Sequence, residues 1–572
     1  MTGFGPVAAT PVAALWPATR SVAASGTVRV RDLLPAQSLW AVEIVVPSGS
    51  GEPRPAPFGM VAGLPLGALA MPRVATAGPQ AVYASDRGWI GEPDDPDAPN
   101  QVWPARLLEP PALELGLPVY PTEARRAEVS GGELLLANAD GGLDSLLGDG
   151  RLVGRSVVIR RGPHLRPRHA RAADIGRVAE MRVRAPLDGD AQVRLTLESL
   201  AADLSVPACS LYSGIGGAEG GSELMGQPKP RLFGLRRNFA PVRVSSTRLI
   251  YQLNDGPIRE VITARNRGVP QAPTVDVPSF EALSALTLAE GRYATCLAGG
   301  YIRFGSDTSL VTVAARGDVA LGGLGYGGGS AVSIAMKLLR GAGGVAPSRA
   351  TPESFAWPAD EAGLLVTGGT VADAMSRLAA GVGGWWGGDA FGSFRGGVVV
   401  APESIGPGLA LEAWMLAGPP EEVALDQPPW FRARVSYRSL DRVMAGEDVA
   451  PVVSSADRAF LTQESRMATP AYDPAVQLLS AAVDGEVLAS LFDAEAPAAA
   501  MARRVLALLG RTRRSWRLPL RAGAGGVVPQ MVVPGSVLTL AWPGIAALRQ
   551  PKQLLVRDLS ARGDSLSLTV WG

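Results

Sequence analysis

Apolar residues after Thr370 fall at Val371, Ala374, Met375, Leu378 and Val382, the spacing of one face of an α-helix. Thr370 stands at the N-cap position, and Asp373 sits three residues on, where a capping box places its acid. The pattern ends in Gly383-Gly384-Trp385-Trp386-Gly387-Gly388, and residues 389–400 then read as a turn and strand. Two aromatics at such a junction can plug a helix–strand joint or offer a flat platform to a ligand. Residues 330–342 predict a second helix, with Val332, Met336 and Leu339 on one face. Residues 497–509 predict a third, with Met501, Val505, Leu508 and Leu509 inward and Gly510 as its stop.

Most of the remaining pattern is strand. Residues 37–46 form the clearest extended stretch of the N-terminal part, and residues 191–198 alternate apolar and polar with period two. Residues 127–138, 153–160 and 174–184 add strand material at the spacing of an antiparallel barrel or sandwich. Residues 249–253 and 258–262 flank Asn254-Asp255-Gly256, which predicts a hairpin. Residues 301–304 and 309–313 extend this zone, and strands are expected near 397–401 and 431–437. Residues 532–540, 553–557 and 565–571 close the chain as a further β region. The expected class is α+β, mainly β and multidomain, with two β-barrel-like domains bracketing a smaller α+β insert. The expected segments are a Pro-rich region with β stretches at 1–115, a barrel or sandwich with a Gly-rich loop at 116–325, an α+β insert carrying the Trp pair at 326–495, and a helix with a C-terminal β domain at 496–572.

Composition supports many short strands joined by tight turns. The 572 residues include 69 Gly and 48 Pro, about a fifth of the chain, yet 47% are hydrophobic, which excludes a disordered polymer. A net charge of +1 argues against a dedicated nucleic-acid binder. Only Lys229, Lys337 and Lys552 are lysines, so arginine carries the positive charge, and its planar fork suits ion pairs in interfaces. No basic-then-apolar leader pattern and no run of 18 apolar residues is expected to direct the chain to or through a membrane.

Candidate chemistry is sparse. Cys209 and Cys296 lack metal spacing and read as buried free thiols. His164 and His169 both lie in the arginine-rich run 160–171 and have no third ligand nearby. That run, like 511–517, reads as solvated or salt-bridging arginine; alternate arginines at 511–517 would also discourage wrong pairing at a strand edge. The Asn138/Asp140/Asp144 cluster fails as a calcium loop, because Leu136 and Leu147 would occupy its outer ligand positions. The loop Tyr212-Ser-Gly-Ile-Gly-Gly-Ala-Glu-Gly-Gly221 lacks the third Gly of a dinucleotide fingerprint and is expected to be a flexible surface loop. GxSxG, HExxH and GxxxxGK[ST] are absent. No catalytic, cofactor-binding or metal-binding residue is assigned, and no enzymatic activity is expected.

Five motifs occur in order: Asp94-Asp-Pro-Asp-Ala-Pro-Asn100 followed by an aromatic and Pro, Leu135-Leu-Ala-Asn-Ala-Asp-Gly-Gly-Leu-Asp144, Gly226-Gln-Pro-Lys-Pro-Arg-Leu-Phe-Gly234, the Thr370 helix ending in Gly-Gly-Trp-Trp-Gly, and Leu568-Thr-Val-Trp-Gly572. With them the chain resembles the tail tip and baseplate hub proteins of tailed phages and prophages, a family also found in gene-transfer-agent-like particles. The resemblance covers roughly residues 80–572. It implies barrel-like domains continuing the ring of the tail tube, and a homo-oligomer, often a trimer. Implied partners are distal tail and tube proteins, the tape-measure protein and tail fibres. It also implies a place in the virion after assembly in the bacterial cytoplasm, and it carries no catalytic residues. Two other readings stand beside it. One is a carbohydrate-binding or carbohydrate-degrading tail protein with Trp385/Trp386 or Trp89/Trp103 as sugar platforms; the other is a component of a bacterial contractile injection system or gene-transfer particle.

Overall fold

The computed structural model describes residues 38–46, 80–95, 99–121, 123, 125–144, 147, 152–163, 169–170, 176–189, 191–199, 204–306, 309–317, 329–425, 428–521, 532–563 and 565–572. The stretch before residue 38, residues 96–98 of the acidic loop, His164 and most of the arginine run after Pro163 lie outside the described residues. The expected mainly β, α+β class holds. Short strands build several sheets, and helices are few.

One sheet organises the molecule. Its strands run in the order Phe394–Gly397, Trp385–Gly388, Arg126–Ser130, Leu113–Gly116, Lys552–Arg562, Ser565–Trp571, Arg514–Leu520 and Glu421–Leu425. Val537–Leu540 adds to Lys552–Arg562, and Leu409–Leu411 adds to Val537–Leu540. Successive side chains of a strand point to opposite faces, and at the end of the sheet around Leu555 and Trp571 both faces are buried. Leu554 and Val556 enter one core while Leu555 enters another; Leu568 and Val570 enter the first and Trp571 the second. Away from that end the second face carries Arg517, Ser560, Ser567 and Thr569, so Ser565–Trp571 alternates polar and apolar residues.

The first core is closed by a seven-stranded sheet, in the order Gln80–Ser85, Ser38–Val46, Ser156–Pro163, Gly176–Gly189, Gln192–Glu198, Glu133–Ala137, Leu107–Glu109. Its inward residues Ile44, Leu136, Val157, Met181 and Leu195 meet Trp516, Leu518 and Leu568 from the C-terminal strands. Hydrogen bonding therefore crosses the segment borders expected from the sequence, since Leu113–Gly116 pairs with Lys552–Arg562 and Trp385–Gly388 with Arg126–Ser130.

The second core holds the helices α1 (Ala331–Met336), α2 (Val371–Gly381) and α3 (Glu495–Leu509). α1 runs on into a wider π-type turn at Lys337–Ala342, so the expected 330–342 helix is one segment of two geometries. α2 keeps its predicted inner face and capping box: the Thr370 hydroxyl accepts from the Asp373 amide at 3.1 Å, and the Thr370 amide donates to Asp373 Oδ2 at 2.9 Å. α3 buries Met501, Val505, Leu508 and Leu509 and stops at Gly510, as expected.

Residues 235–317 form two small sheets around a core of Phe239, Tyr251, Ile302 and Val313. The hairpin expected through Asn254-Asp255-Gly256 does not form. Ile250–Gln252 pairs with Val242–Ser245 and Tyr301–Phe304, whereas Ile258–Asn266 pairs with Val311–Gly317 and Val269–Pro270. Asn254 does make a turn, donating to the Gly256 and Pro257 carbonyls, but its Oδ1 also accepts the Leu232 amide at 2.7 Å. That bond to a third strand sends the chain into the other sheet.

A polar seam joins this module to the strand Trp430–Tyr437 and its surroundings. Arg236 grips Asp441 with two bonds of 2.8 and 2.6 Å, Arg237 grips Asp493 at 2.5 and 2.9 Å, and Asn238 donates to the Arg442 carbonyl at 2.6 Å. Burial pushes the Asp493 carboxyl up, but Arg237 and Arg438 outweigh that and hold it below the ordinary carboxylate range. A depressed folded-state value means the stabilisation is complete above the unfolded value and disappears as pH falls through the folded one. Asp493→Asn is expected to destabilise the protein by ~1–3 kcal/mol at neutral pH. The gap from wild type should narrow as pH falls through the depressed folded-state value of Asp493, below the ordinary carboxylate range, as read by urea unfolding across pH. A constant gap down to pH 2 would show that charge is not what holds the seam.

Candidate functional site

The Trp pair is placed by the end of α2. Gly383 takes a left-handed conformation, φ 66°; its amide bonds the Ala380 carbonyl at 3.0 Å and the Gly384 amide bonds Ala379 at 2.8 Å. These two bonds form a Schellman stop, which turns the chain straight into the strand Trp385–Gly388. That strand runs antiparallel to Phe394–Gly397 and parallel to Arg126–Ser130. Gly387 must lack a side chain, because a Cβ there would lie 2.7 Å from the Ala127 carbonyl oxygen.

Trp385 and Trp386 are 2% and 0% exposed. The Trp386 indole donates to Ser376 Oγ of α2 at 3.0 Å and lies beneath the Arg126 guanidinium, 5.5 Å from the ring centre. The Trp385 carbonyl accepts the Trp357 indole N–H at 3.0 Å. In the same core, the Trp571 indole donates to the Tyr120 hydroxyl at 2.6 Å, with the rings edge to face and Arg513 stacked 5.1 Å above. Phe233 completes the group. Three of the five ordered motifs thus send aromatics into one core. A fourth, residues 135–144, sends Leu136 and Leu143 into the core on the other side of the sheet.

Trp89 and Trp103 stack on each other at 5.2 Å, capped by Tyr83 and with Arg160 over Trp103, and both are buried. Neither tryptophan pair can serve as a sugar platform, since a platform must present a ring face to solvent. That reading is overturned at these residues.

The other candidates also resolve into scaffold. Asn138 accepts the Leu143 amide and donates to Asp144, while Arg106 holds Asp140 below its usual range, so these side chains close a turn. The glycine-rich loop is at the surface but tied rather than flexible: Glu219 accepts from the Ser213 amide and hydroxyl and from Lys229, which holds its carboxyl down at about 2. Arg511 and Arg513 share Glu403, and Arg514 meets Glu422. The strand Arg514–Leu520 lies between two neighbours and not at an edge, so its arginines pair rather than repel. His169 lies in a two-residue strand beside Ile90. Cys209 and Cys296 are free and buried in different cores. Among the described residues, no three His, Cys, Asp or Glu side chains gather as a metal site, and no helix is long and apolar enough to cross a membrane.

No protein-family model matches the chain, and no curated protein matches it. Among solved structures it is similar to the 43 kDa tail protein of prophage MuSo2 from Shewanella oneidensis. Identity is 10%, the match covers 81% of this chain and 92% of that one, and the TM-score is 0.31.

The sequence gives no warning of the Trp571–Tyr120 pair, since 451 positions separate the partners. Trp386→Ala is expected to cost ~3–5 kcal/mol, the usual range for emptying a buried aromatic site. Trp571→Phe removes part of a buried ring and strands the Tyr120 hydroxyl, costing ~1–3 kcal/mol. Denaturant unfolding of both variants measures this. Wild-type stability in Trp386→Ala would mean the joint is not a packing element.

Proposed function

We propose that this protein is a non-catalytic structural component at the distal end of the tail of a phage or phage-like particle, a tail tip or baseplate hub subunit. On this reading it caps the tube, joins it to fibres or receptor-binding proteins, and works as a homo-oligomer, with a trimer favoured. The observation that carries the reading is the convergence of four of the five ordered motifs on the two cores either side of the central sheet. Motifs that build a scaffold and not a reactive centre suit a family whose members share a mechanical role.

Surface chemistry supports it. Leu211, Ile215 and Met225 are exposed around the tied glycine-rich loop, with Ile215 83% accessible, and Leu478, Leu479, Val483 and Val487 are exposed on a second stretch. Apolar residues grouped in this way fit surfaces that neighbouring subunits cover. Paired arginines at the seams suit interfaces that must hold one geometry.

Imaging and mass analysis of intact particles from a strain carrying a tagged copy tests the proposal. The expected result is tag density at the distal tail end, in an oligomeric ring or plug. A stable monomer absent from purified tails would refute it.

A further inference from the structure

Behind the Trp joint, two arginines share a cavity. Arg125 and Arg504 line a space of about 20 Å³ with Val119, Gly383, Met501 and Leu508. A water molecule needs roughly 10–15 Å³, so the cavity admits one water-sized atom or ion. Gly383 keeps this space open, because a Cβ there would lie 2.9 Å from Arg504 Nη2.

The charge around this cavity is one-sided. Arg504 bonds the Val382 carbonyl at 3.0 Å, and Arg125 bonds the Tyr120 and Pro121 carbonyls. The acid acting on Arg125, Glu123, is committed elsewhere: Oε1 takes a 2.7 Å bond from Arg557, and Oε2 accepts the Val119 and Tyr120 amides. Burial pulls Arg504 down to about 10, helped by the positive field of Arg125, and burial also pulls Arg125 to about 10. Two cations withdrawn from water around one space call for a negative charge, which a neutral water does not supply. Arg504 also lines a cleft of about 690 Å³ with Arg503, Arg511, Glu403 and Tyr472, so a single side chain borders both spaces.

We propose that Arg125 and Arg504 bind one small inorganic anion of the halide class in this cavity, fastening α3 to the strand-and-turn region at the Trp joint. The anion offsets the repulsion between the guanidinium groups and bridges α3 to the turn that carries Arg125.

The test uses the purified full chain at constant ionic strength, exchanging chloride for gluconate, which is too large for the cavity. The melting temperature is expected to rise with chloride and saturate, a shift of about 2–5 °C. Bromide should replace chloride, and Arg504→Met should melt at a temperature independent of chloride. Crystals grown in bromide should show an anomalous peak between the two guanidinium groups, a readout that remains if Arg504→Met fails to fold. The proposal is overturned by the lack of a peak, by a chloride dependence that persists in Arg504→Met, or by a peak without any solution effect, which would mark an adventitious ion only.

Discussion

The sheet that separates two cores is the constraint on which the rest of this molecule depends. Leu554, Leu555 and Val556 are consecutive, and all three are buried because the sheet divides two cores. Neither core can close without it. The strands come from residues 113–130, 385–397, 409–425 and 514–571, so segments far apart in sequence must be in place together. Such a sheet gives no independent stability to any one segment, and its long-range pairing favours cooperative, all-or-none assembly.

Aromatics and arginines fix the angles at which other elements meet this sheet. Trp386 ties α2 to its first strands through Ser376, and Trp571 ties its last strand to Tyr120. Arg126 and Arg513 cover these two rings. Arg557 reaches Glu123, which in turn holds the turn before Arg126 by two backbone amides. A planar guanidinium can stack on a ring and fork onto a carboxylate at once, which lysine cannot do. The arginine-rich composition is therefore put to geometric use.

Local features are the ones readable in the chain. α2, its capping box and its glycine stop were all legible, because each depends on residues within four or five positions. α3 was legible for the same reason. The hairpin at Asn254 was not: its turn residues suit a sheet crossing equally well, and the Leu232 amide selects the crossing. The glycine-rich loop reads as flexible until Lys229 is seen to close on Glu219. The joint around the Trp pair was half legible, with the tryptophans and glycines evident and their partners Trp357 and Arg126 hidden by distance along the chain.

By itself the sequence determined the mainly β class, the helices with strong apolar periodicity, and the lack of recognisable catalytic motifs, since these rest on composition and short-range spacing. Only the tertiary structure decided which strands are neighbours, that one sheet serves two cores, and that Trp385 and Trp386 face inward. A strand's pattern shows which side chains are apolar, but not which partner covers each face. That choice is made by long-range packing and hydrogen bonding, where Leu115 meets Leu559 and Trp386 meets Arg126.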